Sequence, residues 1–234
     1  MIASDRFRFG FFLCLLMGAL MAGCQGSAKP EVRPDTIYLD YQAIGDEELG
    51  EIVVRLQFRS GGPEGEAILL GDSSRVLVDG KQLGADSSKM NGIYYEAGFP
   101  LQEFSGLHEI IFEHASGLQR RDSFYFPFFS LREELAASVS RAKDLELPLT
   151  QVEDNEALHI MLTDTSFYGR GVDRMDSIRE AKLLLTRQDF SRLNNGPVHA
   201  VFYRELERAL AGPGKWEGRL YLSYNISREF ILTD

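Results

Sequence analysis

Apolar and polar residues alternate with a period of two through most of the chain beyond residue 35, in short runs broken by glycine and Asx turns. Residues 51–58 show it best. Ile52, Val54, Leu56 and Phe58 fall on one face and Glu51, Arg55 and Gln57 on the other, with Val53 out of pattern. This periodicity predicts a half-buried strand. Comparable runs occupy residues 36–41, 67–70, 76–83, 93–95, 107–114 and 121–129, with Asp79-Gly80 at a hairpin turn inside the third. Roughly seven short strands in one stretch predict an antiparallel sandwich of the immunoglobulin-like kind over residues 35–129.

The alternation stops over residues 130–142. Ser130 with Glu133 fits a capping box, so this stretch reads as a turn or two of helix or a plain connector between domains. Runs then resume at 145–149, 157–162, 178–186, 198–206, 219–224 and 229–232, separated by Asn194-Asn195-Gly196-Pro197 and Gly212-Pro213-Gly214 turns. Residues 181–187, which overlap the third run, also fit a helical period, but short length and polar flanks favour a strand. The predicted fold is all-β: two tandem immunoglobulin-like antiparallel β-sandwiches, 35–129 and 143–234, joined by the linker 130–142. The aromatic run Phe124-Tyr125-Phe126-Pro127-Phe128-Phe129 is expected at their junction, with Tyr125 or Phe129 packing across it. Pro127 cannot donate to a ladder, so it marks an edge or bulge.

The N-terminus follows a different pattern. Arg6 and Arg8 precede an apolar run of about a dozen residues that ends in Ala22-Gly23, the layout of a secretory signal, and the run is too short to cross a bilayer, which takes about 20 residues. The string Leu20-Met21-Ala22-Gly23-Cys24 resembles the lipobox of bacterial lipoproteins. That resemblance implies removal of residues 1–23 and a lipid on Cys24. Residues 24–34 then form a lipidated tether, short on apolar groups and punctuated by Pro30 and Pro34. Gln25, where an aspartate would favour the inner membrane, implies the outer membrane.

Charge and cysteine usage narrow the partners. Cleavage would remove Asp5, Arg6 and Arg8, leaving 23 basic against 34 acidic residues and a net charge of −11. A phosphate-binding basic face is not in prospect, so nucleic acid is not an expected partner. Cys14 would leave with the signal and Cys24 would carry lipid, so neither a disulfide nor a cysteine nucleophile is expected in the mature chain.

Catalytic constellations are not legible. His108, His114, His159 and His199 all lie in predicted strands, and neither His108 nor His114 has a third ligand nearby in sequence. Asp46, Glu47 and Glu48, or Asp164, Asp173 and Asp176, could converge on a cation, but their spacing matches no calcium loop. No metal and no cofactor is therefore called. Aromatic, arginine and glycine residues mark Phe167, Tyr168 and Arg170 as a candidate recognition loop, with Trp216 beside the second glycine-proline turn. The expected function is a non-enzymatic cell-envelope lipoprotein, held to the membrane by its N-terminal lipid, that binds an envelope protein or polymer. A carbohydrate-binding module and a hydrolase with an unrecognised site are the alternatives.

Overall fold

The computed structural model describes residues 37–165, 171–210 and 216–234. The signal, Cys24 and the tether lie outside the described residues. Most of the expected runs become strand, although residues 67–70 make only a single bridge, Ala67 to Arg59; the order begins β1 (Ile37–Asp46), β2 (Glu51–Ser60), β3 (Arg75–Val78), β4 (Lys81–Gln82), β5 (Gly84–Ser88), β6 (Gly92–Pro100), β7 (Leu107–Glu113) and β8 (Gln119–Tyr125). The later strands are β9 (Ser130–Leu131), β10 (Ser138–Ser140), β11 (Leu145–Thr150), β12 (Ala157–Asp164), β13 (Val172–Ser177) and β14 (Lys182–Leu185), then β15 (Gly196–Ala209) and β16 (Gly218–Thr233). A 3-10 turn, Leu101–Glu103, and one α-helical turn, α1 (Arg187–Phe190), interrupt them; Thr186 and Asp189 close α1 with a reciprocal capping box.

Among the described residues the strands form three sheets. The largest runs β13-β12-β15-β16-β1-β2-β6-β5, with β10 also paired to β16. The order β4-β3-β7-β8 makes a second sheet, and β14-β11-β9 a third. One face of the large sheet is apolar from end to end, because its registers align Phe58 with Leu39, Leu56 with Tyr41, Tyr41 with Leu220 and Phe202 with Ile226. Phe58 meets Phe112 of β7 at 4.5 Å between ring centroids, so the second sheet covers the first half of that face. Arg174 of β13 donates to the Leu184 carbonyl of β14 at 2.7 Å, which ties the third sheet to the other end. The all-β architecture of two sandwiches in tandem is thus present.

The division between them differs from the expected one. β15 and β16 make a hairpin of 14 and 16 residues that serves both sandwiches. Near its tip β16 pairs in parallel with β1, from Leu39 with Gly218 to Asp46 with Asn225. Further along it pairs with β10 in the second sandwich. The first sandwich therefore contains C-terminal residues, and the boundaries 35–129 and 143–234 do not follow the hydrogen bonding. Residues 130–142 are not an unpaired linker or a helix either: β9 pairs with β11 and β10 with β16. The sequence suggested two strands, 219–224 and 229–232, where β16 runs unbroken. Even-numbered positions stay inward throughout, with Leu220, Leu222, Tyr224, Ile226, Phe230 and Leu232 all buried. Arg228, the polar exception in that series, forms an ion pair with Glu47 in the β1–β2 turn.

The Asp79-Gly80 turn appears as expected between β3 and β4. Both residues have positive φ, 50° and 79°, as a two-residue hairpin loop demands.

Candidate functional site

The aromatic run does lie at the junction, though not as a continuous strand. β8 ends at Tyr125, where Pro127 two residues on can supply no ladder donor, and residues 126–129 wrap irregularly over β16. Phe126, Phe128 and Phe129 all meet the Tyr224 ring edge-on, at 5.9, 5.1 and 5.7 Å between centroids. Burial, with nearby Glu47 adding to it, pushes the Tyr224 phenol up to about 12. Phe129 thus fills the packing role expected of it or Tyr125. Tyr125 itself is 68% exposed.

An open cleft of about 370 Å³ follows from this wrapping. Gly106, Tyr125 and Phe128 line it from the first sandwich, and Gln151, Arg204 and Leu206 from residues around the second. Arg204 holds the two sides together. Its guanidinium donates to the Phe128 carbonyl at 2.9 Å and the Gln151 carbonyl at 2.8 Å, and pairs with Glu156. The planar fork of arginine suits such simultaneous capture, which fixes the cleft floor. Beside the cleft, Leu107 lies opposite its lining residue Tyr125 across the β7–β8 pair, and both are more than half exposed. Leu206 is 44% exposed although it points to the inner face of the large sheet, because the covering sheet stops short of it.

The opposite face of the large sheet is polar and self-paired. Asp40, 3% exposed, accepts from Arg219 at 2.9 Å and lies 3.7 Å from Arg59. Arg55 bonds Glu96 at 2.7 Å while lying over the Tyr94 ring. Burial raises the Tyr221 phenol, as does its hydrogen bond to Glu205.

The other residues singled out from sequence are dispersed. Phe167, Tyr168 and Arg170 lie outside the described residues. Trp216 is half-buried, 5.1 Å from the Phe112 ring, and its carbonyl accepts from Arg120, so it packs against the first core. Asp173 pairs with His159, Asp176 with Arg174, and Asp164 accepts from Asn194, so these three carboxylates do not converge. Asp46 caps the β1–β2 turn through the Glu48 and Leu49 amides. Among the described residues no three His, Cys, Asp or Glu groups gather as a metal site. His108 is the one buried histidine; its Nδ1 is 2.7 Å from Asp79, and its ring stacks on Phe104 at 3.7 Å. Its Nε2 is sealed from solvent, so the pair orients a turn and presents no base to a substrate. His114 falls just beyond β7, bonded to Ser116.

No protein-family model matches the chain, and no curated protein does at a significant level. Matches among solved structures include DIP-gamma IG1+IG2, 10% identical, with 85% of this chain and 97% of that one covered and a TM-score of 0.24. The human OSCAR ligand-binding domain is 11% identical, with 80% and 96% covered and a TM-score of 0.25. The Bacteroides ovatus SGBP-B in complex with mixed-linkage heptasaccharide is 14% identical, with 75% and 53% covered and a TM-score of 0.21. Scores this low carry no argument about function. The sandwich class rests on the strands and pairings themselves.

Sequence reasoning missed Gln151, Arg204, Leu206 and Leu107 as members of one site. Gln151 and Arg204 are 53 residues apart, and the β15–β16 hairpin carries Arg204 and Leu206 to Tyr125, whereas Leu107 reaches it through the β7–β8 ladder. The single available signal was Tyr125, an amphipathic ring in a run of phenylalanines.

Proposed function

We propose that this chain is a non-enzymatic lipoprotein of the cell envelope that binds an envelope protein at the cleft between its two sandwiches. The observation that carries the reading is the exposed Leu107, Tyr125 and Leu206 cluster beside the cleft whose floor Arg204 clamps from both sides. Exposed apolar side chains that converge beside a polar rim are characteristic of binding surfaces. A clamped floor also limits the ordering cost on association. The lipobox-like residues 20–24 support a membrane anchor at Cys24, and Gln25 supports the outer membrane as its location.

A photoreactive phenylalanine analogue at position 125 of the full-length lipidated protein tests this in intact cells. A discrete protein adduct is expected from position 125 and not from the still more exposed position of Met90 in the turn between β5 and β6. No adduct specific to position 125, or retention by envelope polysaccharide in its place, overturns the reading.

A further inference from the structure

We propose that the free edge of β15 over residues 205–209 takes up an extended strand of the partner, one in which apolar residues alternate with basic ones. This deepens the reading above and rests on it. The geometry begins at the hairpin tip, where the Leu210 N–H donates to the Gly218 carbonyl at 2.8 Å. In an antiparallel ladder such pairs recur every second residue, so even-numbered residues of β15 bond towards β16 and odd-numbered ones face the other side. On that other side β12 takes Tyr203, opposite His159, and its aligned pairing ends there. Glu207 and Ala209 continue the same series, and among the described residues no strand lies beside them. Their N–H and C=O groups are a template for one more strand in line with β12.

Side chains then specify the occupant. Residues opposite each other in a sheet share a face. A residue opposite Leu206 would enter the cleft against Tyr125 and Phe128, so it must be apolar. Residues on the other face would meet Glu205 and Glu207. Glu207 is 3.7 Å from Arg219, but that arginine is already committed to Asp40 at 2.9 Å, and among the described residues Glu205 accepts from the neutral phenol of Tyr221. Two incompletely compensated carboxylates on one row favour lysine or arginine opposite. They also disfavour a second copy of this chain, whose own glutamates would be brought against them. The two outer edges of the large sheet lack this combination: β5 is exposed and carries no large apolar side chain, and Arg174 bridges β13 to β14.

The probe is an eight-residue peptide of alternating valine and lysine, titrated onto the full-length protein in detergent micelles, with a valine–glutamate peptide as control. Glu207→Pro removes an edge-facing N–H without touching the β16 ladder, whereas Arg208→Pro removes one that faces β16. The expected results are binding of the valine–lysine peptide alone and at least tenfold slower hydrogen exchange at Glu207 and Ala209. Glu207→Pro should weaken binding at least tenfold with an unchanged melting temperature, and Arg208→Pro should lower that temperature. Equal binding by Glu207→Pro, equal binding of both peptides, self-association through this edge, or protection of the Glu207 and Ala209 amides before any peptide is added would each overturn the proposal. Loss of peptide binding with the position-125 adduct intact sinks the strand proposal and leaves the binding module standing; loss of the adduct with peptide binding intact does the reverse.

Discussion

Phe129 meets Tyr224 edge-on, 5.7 Å between ring centroids at an interplanar angle of 85°. One residue lies just before β9 and the other at the middle of β16, so this contact joins the chain's halfway point to the hairpin that both sandwiches share. With Phe126 and Phe128 on the same ring, Tyr224 is the hub of the junction.

Tyr224→Ala should therefore destabilise the whole protein by about 3–5 kcal/mol, the usual cost of truncating a fully packed aromatic. Because β15 and β16 belong to both sandwiches, calorimetry should show one unfolding transition in the parent and one, at lower temperature, in the variant. Two separated transitions in the parent would mean that the sandwiches fold independently.

Alkaline pH should act on the same residue. The Tyr224 phenol titrates at 10.0 when unfolded and about 12 when folded, so the folded state favours its neutral form. Stability from this group is complete below pH 10 and is lost as pH rises towards 12. Tyr224→Phe cannot ionise there, and its urea midpoint should fall less between those values than the parent's.

Acid should act at the other end of the large sheet. Burial alone would raise the Asp189 carboxyl, but Arg174, at 2.9 and 2.8 Å, and the Thr186 amide and hydroxyl together hold it below its ordinary 3.8. The stabilisation is present above that value and lost as pH falls through the lower folded one. Asp189→Asn should cost about 1–3 kcal/mol at neutral pH, because it removes the buried acceptor of Arg174 and leaves only Asp176 as its ion-pair partner, and should flatten the acid limb of a pH-stability curve.

Gly218→Ala tests the seam between the two ends of the chain. A Cβ at Gly218 would lie 2.3 Å from the Leu39 carbonyl oxygen and 2.7 Å from the Leu39 Cβ, so the parallel β1–β16 pair must part. The cost should be about 1–3 kcal/mol, the range for overpacking a close-fitted site. Denaturant unfolding measures it, and a change within error would show that the seam can open without penalty.

Cys24→Ser should release the protein from the membrane or leave its signal uncleaved. One acyl chain holds a protein to a membrane only marginally and two hold it stably, so mass spectrometry of the mature N-terminus should find a multiply acylated Cys24. An unmodified N-terminus at another residue would remove the anchor from the proposed function.

The alternation in residues 51–58 was enough to make β2, because a period of two can bury only one face of an extended strand. Likewise Asp79-Gly80 needs no tertiary help to form its turn, since both residues tolerate positive φ at little cost. Local pattern thus determined the all-β class, most of the strands and the presence of two sandwiches. It could not determine which strands pair. Gly218 beside Leu39 and Arg204 beside Gln151 are long-range choices, made by the register in which two apolar faces can both be covered, and no run of neighbouring residues encodes them. Pattern even misled between 219–224 and 229–232, where it suggested two strands and a single strand continues because Glu47, 181 residues away, neutralises Arg228. The cleft was hidden for the same reason: Tyr125 and Leu206 acquire a common surface only when the C-terminal hairpin crosses into the first sandwich.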